Sequence, residues 1–421
     1  MPRHRPLRAL LGVLAGLAVL LAGCRSPERA EPVPEPLRPD WRAVTLPMPP
    51  GVPGRLLLRD AAACGGRWFV VGAVADAAGV TRPAAWSSMA ATALPASPAS
   101  SALPPSPASS GPPSLGVDAF AWSPLRLTPR SAYGAENVLT AVGCRDGRLA
   151  AVGAKSGGVH GNPRVSTWRQ LADGSVVEVP AEFEVFGGPD AVNVGRIAGG
   201  PAGWVIAGNR GTGAAAWSSA DAGEFRLVSG VPELASDAAG RTWAADVTAA
   251  ASGWVLVGSL RAPGRPGGDP AVWTSPDGVD WRRRVLADGD APGDLQRVVR
   301  AGERLVAVGR RGEALAAWVA DTADWRPGGV LGPARGGPGQ VAGLGAADGG
   351  VLAVVVGASG GSAWFSTDGG AWSPVEVPVP LPSAPDRSVA VAGSGGGLLL
   401  LVDGGAEGAR LWAARVPDGP G

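Results

Sequence analysis

"GWVLVGSLRAPGRPGGDPAVWTSPDGVDWRRRV" occupies residues 253–285 and decides how the chain is read. It contains an aliphatic run closed by Val-Gly, a tryptophan framed by small residues, a Ser-Pro-Asp-Gly turn and an aromatic that opens a last short run. The aliphatic run shows no polar alternation, so the strand it predicts is covered on both faces. Equivalent runs are "RWFVVG" (67–72), "RLAAVG" (148–153), "GWVIAG" (203–208), "RLVAVG" (304–309), "VLAVVVG" (351–357) and "LLLLVDG" (398–404). A tryptophan follows every copy, at Trp86, Trp168, Trp217, Trp273, Trp318, Trp364 and Trp412.

The copies recur roughly every 46 to 55 residues, apart from a first interval of about 81. The excess is residues 91–117, a Pro/Ser/Ala-rich stretch that cannot bury enough apolar surface to order itself and reads as a disordered insertion open to O-glycosylation. With 66 Gly and 41 Pro in 421 residues, long helices and helical solenoids are excluded. Each repeat reads as four short strands, and seven such units predict an all-β, seven-bladed β-propeller of four-stranded antiparallel blades. The seventh unit carries the signatures of three strands. "DWRAVTLP" (40–47) carries a fourth-strand signature at the other end of the chain, so the N-terminal strand is expected to complete blade 7 and remove an open edge. Trp41 then takes the place held by Trp122, Phe225, Trp281, Trp325 and Trp372 elsewhere.

The first 24 residues have a different character. Arg3, Arg5 and Arg8 precede the apolar run "ALLGVLAGLAVL", which is too short for an ordinary membrane span and has the layout of a secretion signal. The run ends in "LAGC" (21–24), which resembles the bacterial lipobox. That resemblance implies a signal peptide over 1–23 and lipidation of Cys24, with the mature protein held on the extracytoplasmic face of the cell membrane. Residues 24–39, including "EPVPEPLRP", read as a tether of at most roughly 50 Å at polyproline rise. Removing residues 1–23 changes the formal charge from +1 to about −2. No basic run remains outside the leader, so a nucleic-acid partner is not expected. Composition dominated by Ala, Gly, Pro and Arg, with Lys155 the only lysine, points to a G+C-rich, actinobacterial-type source.

Two further cysteines, Cys64 and Cys144, precede equivalent strands of adjacent repeats and could bridge them in an oxidising exterior or remain buried thiols. His160 is the only histidine left after the signal, and no metal-ligand spacing, P-loop or nucleophile elbow is present, so no cofactor is expected.

"SADAGEF" (219–225), "SPDGVDW" (275–281) and "STDGGAW" (366–372) resemble, one residue shorter, the Asp-box turns of sialidase-like propellers. In that resemblance Ser275, Asp277, Ser366 and Asp368 are structural turn residues. It also implies a divergent glycan hydrolase or lyase as the alternative function. Sialidases use a tyrosine nucleophile with a glutamate, and the only tyrosine is Tyr133, in "RSAYGAENV", near Glu136. "RIAG" (196–199) departs from the family's arginine motif by lacking its proline. The preferred expectation is therefore a monomeric, non-catalytic module that binds a protein or a cell-envelope glycan. Its candidate rim is Tyr133, Glu136, Lys155, His160, Asn162, Arg164, Asp190 and Asn193.

Overall fold

The computed structural model describes residues 35–89, 121–157, 163–286, 291–321, 324–332, 339–358, 360–384 and 387–417. Cys24, the signal segment, the insertion over 91–117, His160 and Asn162 lie outside these residues. Seven antiparallel sheets account for the strands. Their inner strands are β2 (Arg55–Cys64), β7 (Val138–Arg145), β11 (Ala191–Gly200), β15 (Arg241–Ala250), β19 (Gly293–Ala301), β23 (Gln340–Ala347) and β27 (Ser388–Ser394). Each packs against the next, and β27 returns to β2, so the chain forms a closed seven-bladed β-propeller.

Blade 7 is completed from the N-terminus. Strand β1 (Arg42–Val44) pairs antiparallel with β29 (Ala409–Arg415), with Ala43 opposite Trp412. Trp41 directly precedes β1, as Phe225, Trp281 and Trp372 precede the outer strands of their blades. Its indole N–H crosses to the Glu376 carbonyl at 2.9 Å. Residues expected in the tether are also held: Leu37 bridges Val375 in parallel, and Arg38 pairs with Glu376 at 2.9 Å. Blade 2 uses a similar device and departs from four strands. There β6 (Leu127–Thr128), just after the outer strand of blade 1, adds in parallel to β10 (Val176–Val179) as a fifth strand.

Inner strands approach the axis so closely that small residues are required. A Cβ on Gly143 would lie 2.9 Å from the Ile197 carbonyl oxygen, and one on Gly199 would lie 2.7 Å from that of Cys144. The glycine that ends the aliphatic run in blades 1, 3, 4 and 5 has a related cause. In blades 1 to 6 the inner strand carries a β-bulge, between Leu58 and Asp60, Leu139 and Ala141, Val194 and Ile197, Ala244 and Asp246, Leu295 and Arg297, and Val341 and Gly343. Beside the bulge the inner strand's carbonyl presses on the second strand, and a side chain at Gly72, Gly258 or Gly309 would collide with Leu57, Trp243 or Asp294 oxygen respectively. Each bulge re-aims the residue that follows it.

The repeated tryptophans close the blades from within. Trp86, Trp168, Trp217 and Trp273 are fully buried. Their indole N–H groups donate to the loop entering their own blade, at Pro47 O (2.7 Å), Asn137 Oδ1 (3.2 Å), Val185 O (2.6 Å) and Glu233 O (2.7 Å). Thus each of these four indoles supplies apolar burial and one satisfied donor, whereas the Trp318 N–H is buried without a partner.

Two faces follow from strand direction. Inner strands end at the first-to-second turns, and third strands end at the same level, so these turns make a turn face. Inter-blade loops and second-to-third loops make the opposite, loop face. The turn face carries the disulfide between Cys64 and Cys144, with Cα atoms 5.8 Å apart. It also carries the Ser-x-Asp turns. Ser275 Oγ accepts from Gly278 N at 2.8 Å, and Asp277 Oδ1 accepts from Val279 N and Asp280 N at 2.9 Å each. Ser366 and Asp368 repeat this with Gly369 N (2.8 Å) and Gly370 N (2.7 Å). These serines and aspartates fold the turn, which fixes them as structural.

Candidate functional site

Two places gather polar chemistry: the axis of the ring and the loop face of blades 2 and 3. At the axis, the bulges deliver Asp60, Asp246 and Arg297, and β11 adds Arg196. Arg196 reaches past blade 2, whose bulge is followed only by Ala141, to pair with Asp60 at 2.9 Å. Asp60 also accepts from Val142 N of the next blade at 2.9 Å. Asp246 accepts from Val298 N of its neighbour at 3.1 Å and from Val247 N at 2.8 Å. The two acids and two bases cancel in charge. Burial raises the Asp246 carboxyl above its ordinary value, partly offset by Arg196 and Arg297. Burial alone would lower Arg196, but Asp60 and Asp246 hold it above the usual guanidinium value. Burial, then the like charge of Arg196, pull Arg297 down to about 10.

Other blade junctions are stapled by the same logic. Arg59 pairs with the fully buried Asp403 across blades 1 and 7. Asn209 spans blades 3 and 4, accepting from Ala244 N (2.8 Å) and donating to Ala244 O (2.9 Å). Gln296 accepts from Val341 N at 2.8 Å across blades 5 and 6. Both Asp246 oxygens are engaged by backbone N–H groups, so the axial charges act as ring closures. Sequence reasoning missed them. Their signal was present as charged residues in the middle of largely apolar strands, Arg59 and Asp60 in "LLLRDAAAC" and Asp246 in "TWAADVTAA".

On the loop face, two short helices position the rim. Helix α1 (Ala132–Ala135) begins at Ser131, whose side chain accepts from Gly134 N at 2.8 Å. Helix α2 (Phe183–Phe186) lies in the loop between blades 2 and 3. The buried Glu178 ties α1 to the sheet, accepting from Arg130 N (2.6 Å), Ser131 N (2.8 Å), Ser131 Oγ (2.7 Å) and Ser166 Oγ (2.8 Å). Arg164 opens strand β9 (Arg164–Gln170), and its guanidinium carbon lies 5.5 Å from the Tyr133 ring centre and 4.8 Å from that of Phe183. These residues border a groove of about 340 Å³ whose walls include Val165, Val179 and Phe186.

The rim residues read from sequence therefore separate. Tyr133 and Arg164 meet. Glu136 is paired with Lys155 at 2.7 Å, and Asn193 accepts from Asn209 at 2.9 Å. Asp190 sits in the loop entering blade 3, where its carbonyl accepts from Gly211 N at 2.8 Å. Tyr133 and Glu136 are joined only through the backbone, Glu136 N–H donating to the Tyr133 carbonyl at 3.1 Å, and among the described residues no side-chain hydrogen bond or ion pair joins Tyr133, Glu136 and Asp190 into one constellation. Nor does any group of three His, Cys, Asp or Glu side chains there have the arrangement of a metal site. Sequence reasoning also missed Phe183, whose exposed ring on a four-residue helix has no periodic signature.

No protein-family model and no curated protein matches the sequence. Solved structures do. An ulvan lyase of polysaccharide lyase family PL25 aligns at 11% identity over 89% of this chain and 96% of that one, with a TM-score of 0.50. The Myceliophteria thermophila Cps50 (Swd1) β-propeller domain aligns at 11% identity over 89% and 99%, also at 0.50. YCF48 bound to a D1 peptide aligns at 15% identity over 89% and 95%, at 0.48. At these identities the likeness is one of fold. It is a fold that hosts enzymes and non-enzymes alike, so function rests on the site.

Proposed function

We propose that the chain is an extracytoplasmic lipoprotein, anchored through Cys24, whose propeller is a non-catalytic binding module for a protein partner on its loop face. One observation carries this reading. Among the described residues the exposed large apolar side chains are Met48, Val80, Tyr133, Phe183, Val192, Trp243 and Val330, and all lie toward that face, Val330 at the end of the outer strand Trp325–Val330. Met48, Tyr133 and Phe183 lie in inter-blade loops, Val80 in a second-to-third loop, and Val192 and Trp243 near the starts of β11 and β15. Exposed apolar side chains gathered on one face support an interaction surface, whereas the same residues scattered singly would not. Ion pairs occur on both faces, for example Lys155–Glu136 on the loop face and Arg169–Asp221 and Arg304–Asp321 on the turn face, so the exposed apolar side chains are what distinguish the loop face.

The path of the chain supports the same orientation. Leu37 and β1 run in the direction of the outer strands, which start at the turn face, so the chain joins the ring from that side. The loop face is thus the face opposite the point where the chain joins the ring. The Ser-x-Asp turns support kinship with Asp-box propellers, where such turns are scaffold.

The test has two arms. Labelling of expressing cells with an alkyne analogue of palmitate should mark the wild type and not Cys24→Ala, which should appear in the medium. A photocrosslinking residue at Val192 or Trp243 should give a discrete adduct on intact cells, and one at Asp146 or Glu303 on the turn face should not. Adducts from the turn face alone would overturn the assignment of face.

A further inference from the structure

We infer that the groove between blades 2 and 3 is a docking site for an extended acidic segment of a protein, with Arg164 receiving an Asp or Glu side chain. This deepens the reading of the loop face and rests on it. Arg164 is held between the rings of Tyr133 and Phe183, and its Nε is buried without a hydrogen-bond partner. No carboxylate among the described residues pairs with it. A guanidinium whose stem and faces are fixed by aromatic rings keeps its donor edge oriented, which favours a planar carboxylate.

The walls decide between possible carriers of that carboxylate. A glycan needs many unspent donors and acceptors, yet three of the polar side chains lining this groove are committed to one another: Glu178 accepts from Ser131, from Ser166 and from two backbone N–H groups, which leaves Arg164, Glu182 and the Tyr133 hydroxyl. The Tyr133 and Phe183 rings each give part of their surface to the guanidinium. A peptide C-terminus is captured by a nest of free backbone N–H groups. Here the N–H groups of Arg130 and Ser131 are spent on Glu178. What remains is an apolar trough with one oriented cation, suited to aliphatic side chains flanking an internal acid. Glu182 at the groove edge opposes the acid and sets a second, opposite expectation.

The experiment uses the full chain in detergent and fluorescent hexapeptides, capped at both ends, in Asp/Asn pairs flanked by combinations of Val, Leu, Ile and Pro. Peptides with a free C-terminus and no Asp, and an oligogalacturonate, complete the panel. At least one Asp peptide should bind about 10–100-fold more tightly than its Asn twin, the scale of a charge-assisted pair. Arg164→Met, which retains an unbranched stem between the rings, should abolish that preference at an unchanged melting temperature. Glu182→Gln should increase it, and Arg304→Gln on the turn face should leave it unaltered. No Asp/Asn discrimination anywhere in the panel, discrimination that survives Arg164→Met, or binding confined to the free C-termini or the oligogalacturonate would each overturn the inference. If crosslinks from Trp243 persist in Arg164→Met cells while the peptide preference is absent from the wild type, the groove assignment fails and the loop-face reading stands.

Discussion

Deleting residues 40–47 should open the ring. The deletion removes β1 and its pairs with Ala413, Trp412 and Leu411. It also removes Leu46, which is 7% exposed and packs with Trp86 and Leu411, and the half-buried Trp41. Burial of an aliphatic or aromatic side chain stabilises by roughly 1.5–3 kcal/mol. The Trp86 indole N–H, fully buried, loses its acceptor at Pro47, and an orphaned buried donor costs about 1–3 kcal/mol. Together the loss is on the order of 5 kcal/mol, a large part of the whole stability of a typical domain. For a ring of this size that corresponds to a fall in Tm of roughly 5–10 °C. The newly bare edge of β29 should also promote self-association. Calorimetry of the wild type, the deletion and a chain shortened within residues 25–34 measures this, with only the first deletion lowering Tm. A synthetic peptide of residues 36–48 added to the deletion should restore most of the loss. A Tm unchanged within 2 °C would show that β1 is not the closure, as would equal losses from the two deletions.

Three other expectations follow from local geometry. Cys64→Ser with Cys144→Ser releases a crosslink across a sequence separation of 80 residues and should cost about 2–4 kcal/mol in denaturant unfolding, with no loss in the wild type unless a reductant is present. Glu178→Ala strands the N–H groups of Arg130 and Ser131 and should destabilise by about 2–4 kcal/mol, with faster amide exchange at Gly134 as α1 loosens. The Asp277 carboxyl is held below its ordinary value, first by the N–H of Asp280 and then by that of Val279. A depressed folded pKa contributes stability above the unfolded value, and that contribution fades as pH falls through the folded one. The stability difference between wild type and Asp277→Ala should therefore be full at pH 6 and shrink below about pH 4; a difference independent of pH would contradict the turn's electrostatics.

The architecture was legible because it is periodic. Seven aliphatic runs and seven tryptophans give the blades, and "DWRAVTLP" gives the closure, since each reports a position that every blade must fill. The bulges were not legible. In blades 1, 3, 4 and 5 they show only as a glycine in the second strand, at Gly72, Gly208, Gly258 and Gly309, on which an inner-strand carbonyl presses, a contact with no sequence period. The axial charges depend on those bulges, so Asp60, Arg196, Asp246 and Arg297 passed as ordinary strand residues. Of the candidate rim, Tyr133 and Arg164 come together because α1 and β9 adjoin in blade 2. Glu136 and Asn193 find partners close by, which no count of loop polar residues can foresee.

The distribution of these features over the ring has a consequence for what the loop face can become. The crosslink, the Ser-x-Asp turns and the point where the chain joins the ring all lie on the turn face, and paired charges and blade-to-blade hydrogen bonds join the inner strands around an axial cavity of about 340 Å³. The loops of the opposite face are needed mainly for single contacts, such as the carbonyls of Pro47, Val185 and Glu233 that receive an indole N–H. A backbone carbonyl serves that purpose whatever side chain it bears. Loop-face side chains that make no such contact are therefore free to vary, unlike Asn137, whose Oδ1 receives the Trp168 indole, and Glu178, which holds α1; a surface of Tyr133, Phe183, Val192 and Trp243 persists there at little structural cost. That division separates the two kinds of substitution by their readouts: changes at Val192 or Trp243 should alter partner capture with Tm held, and changes at Asp60 or Asp277 should alter Tm first.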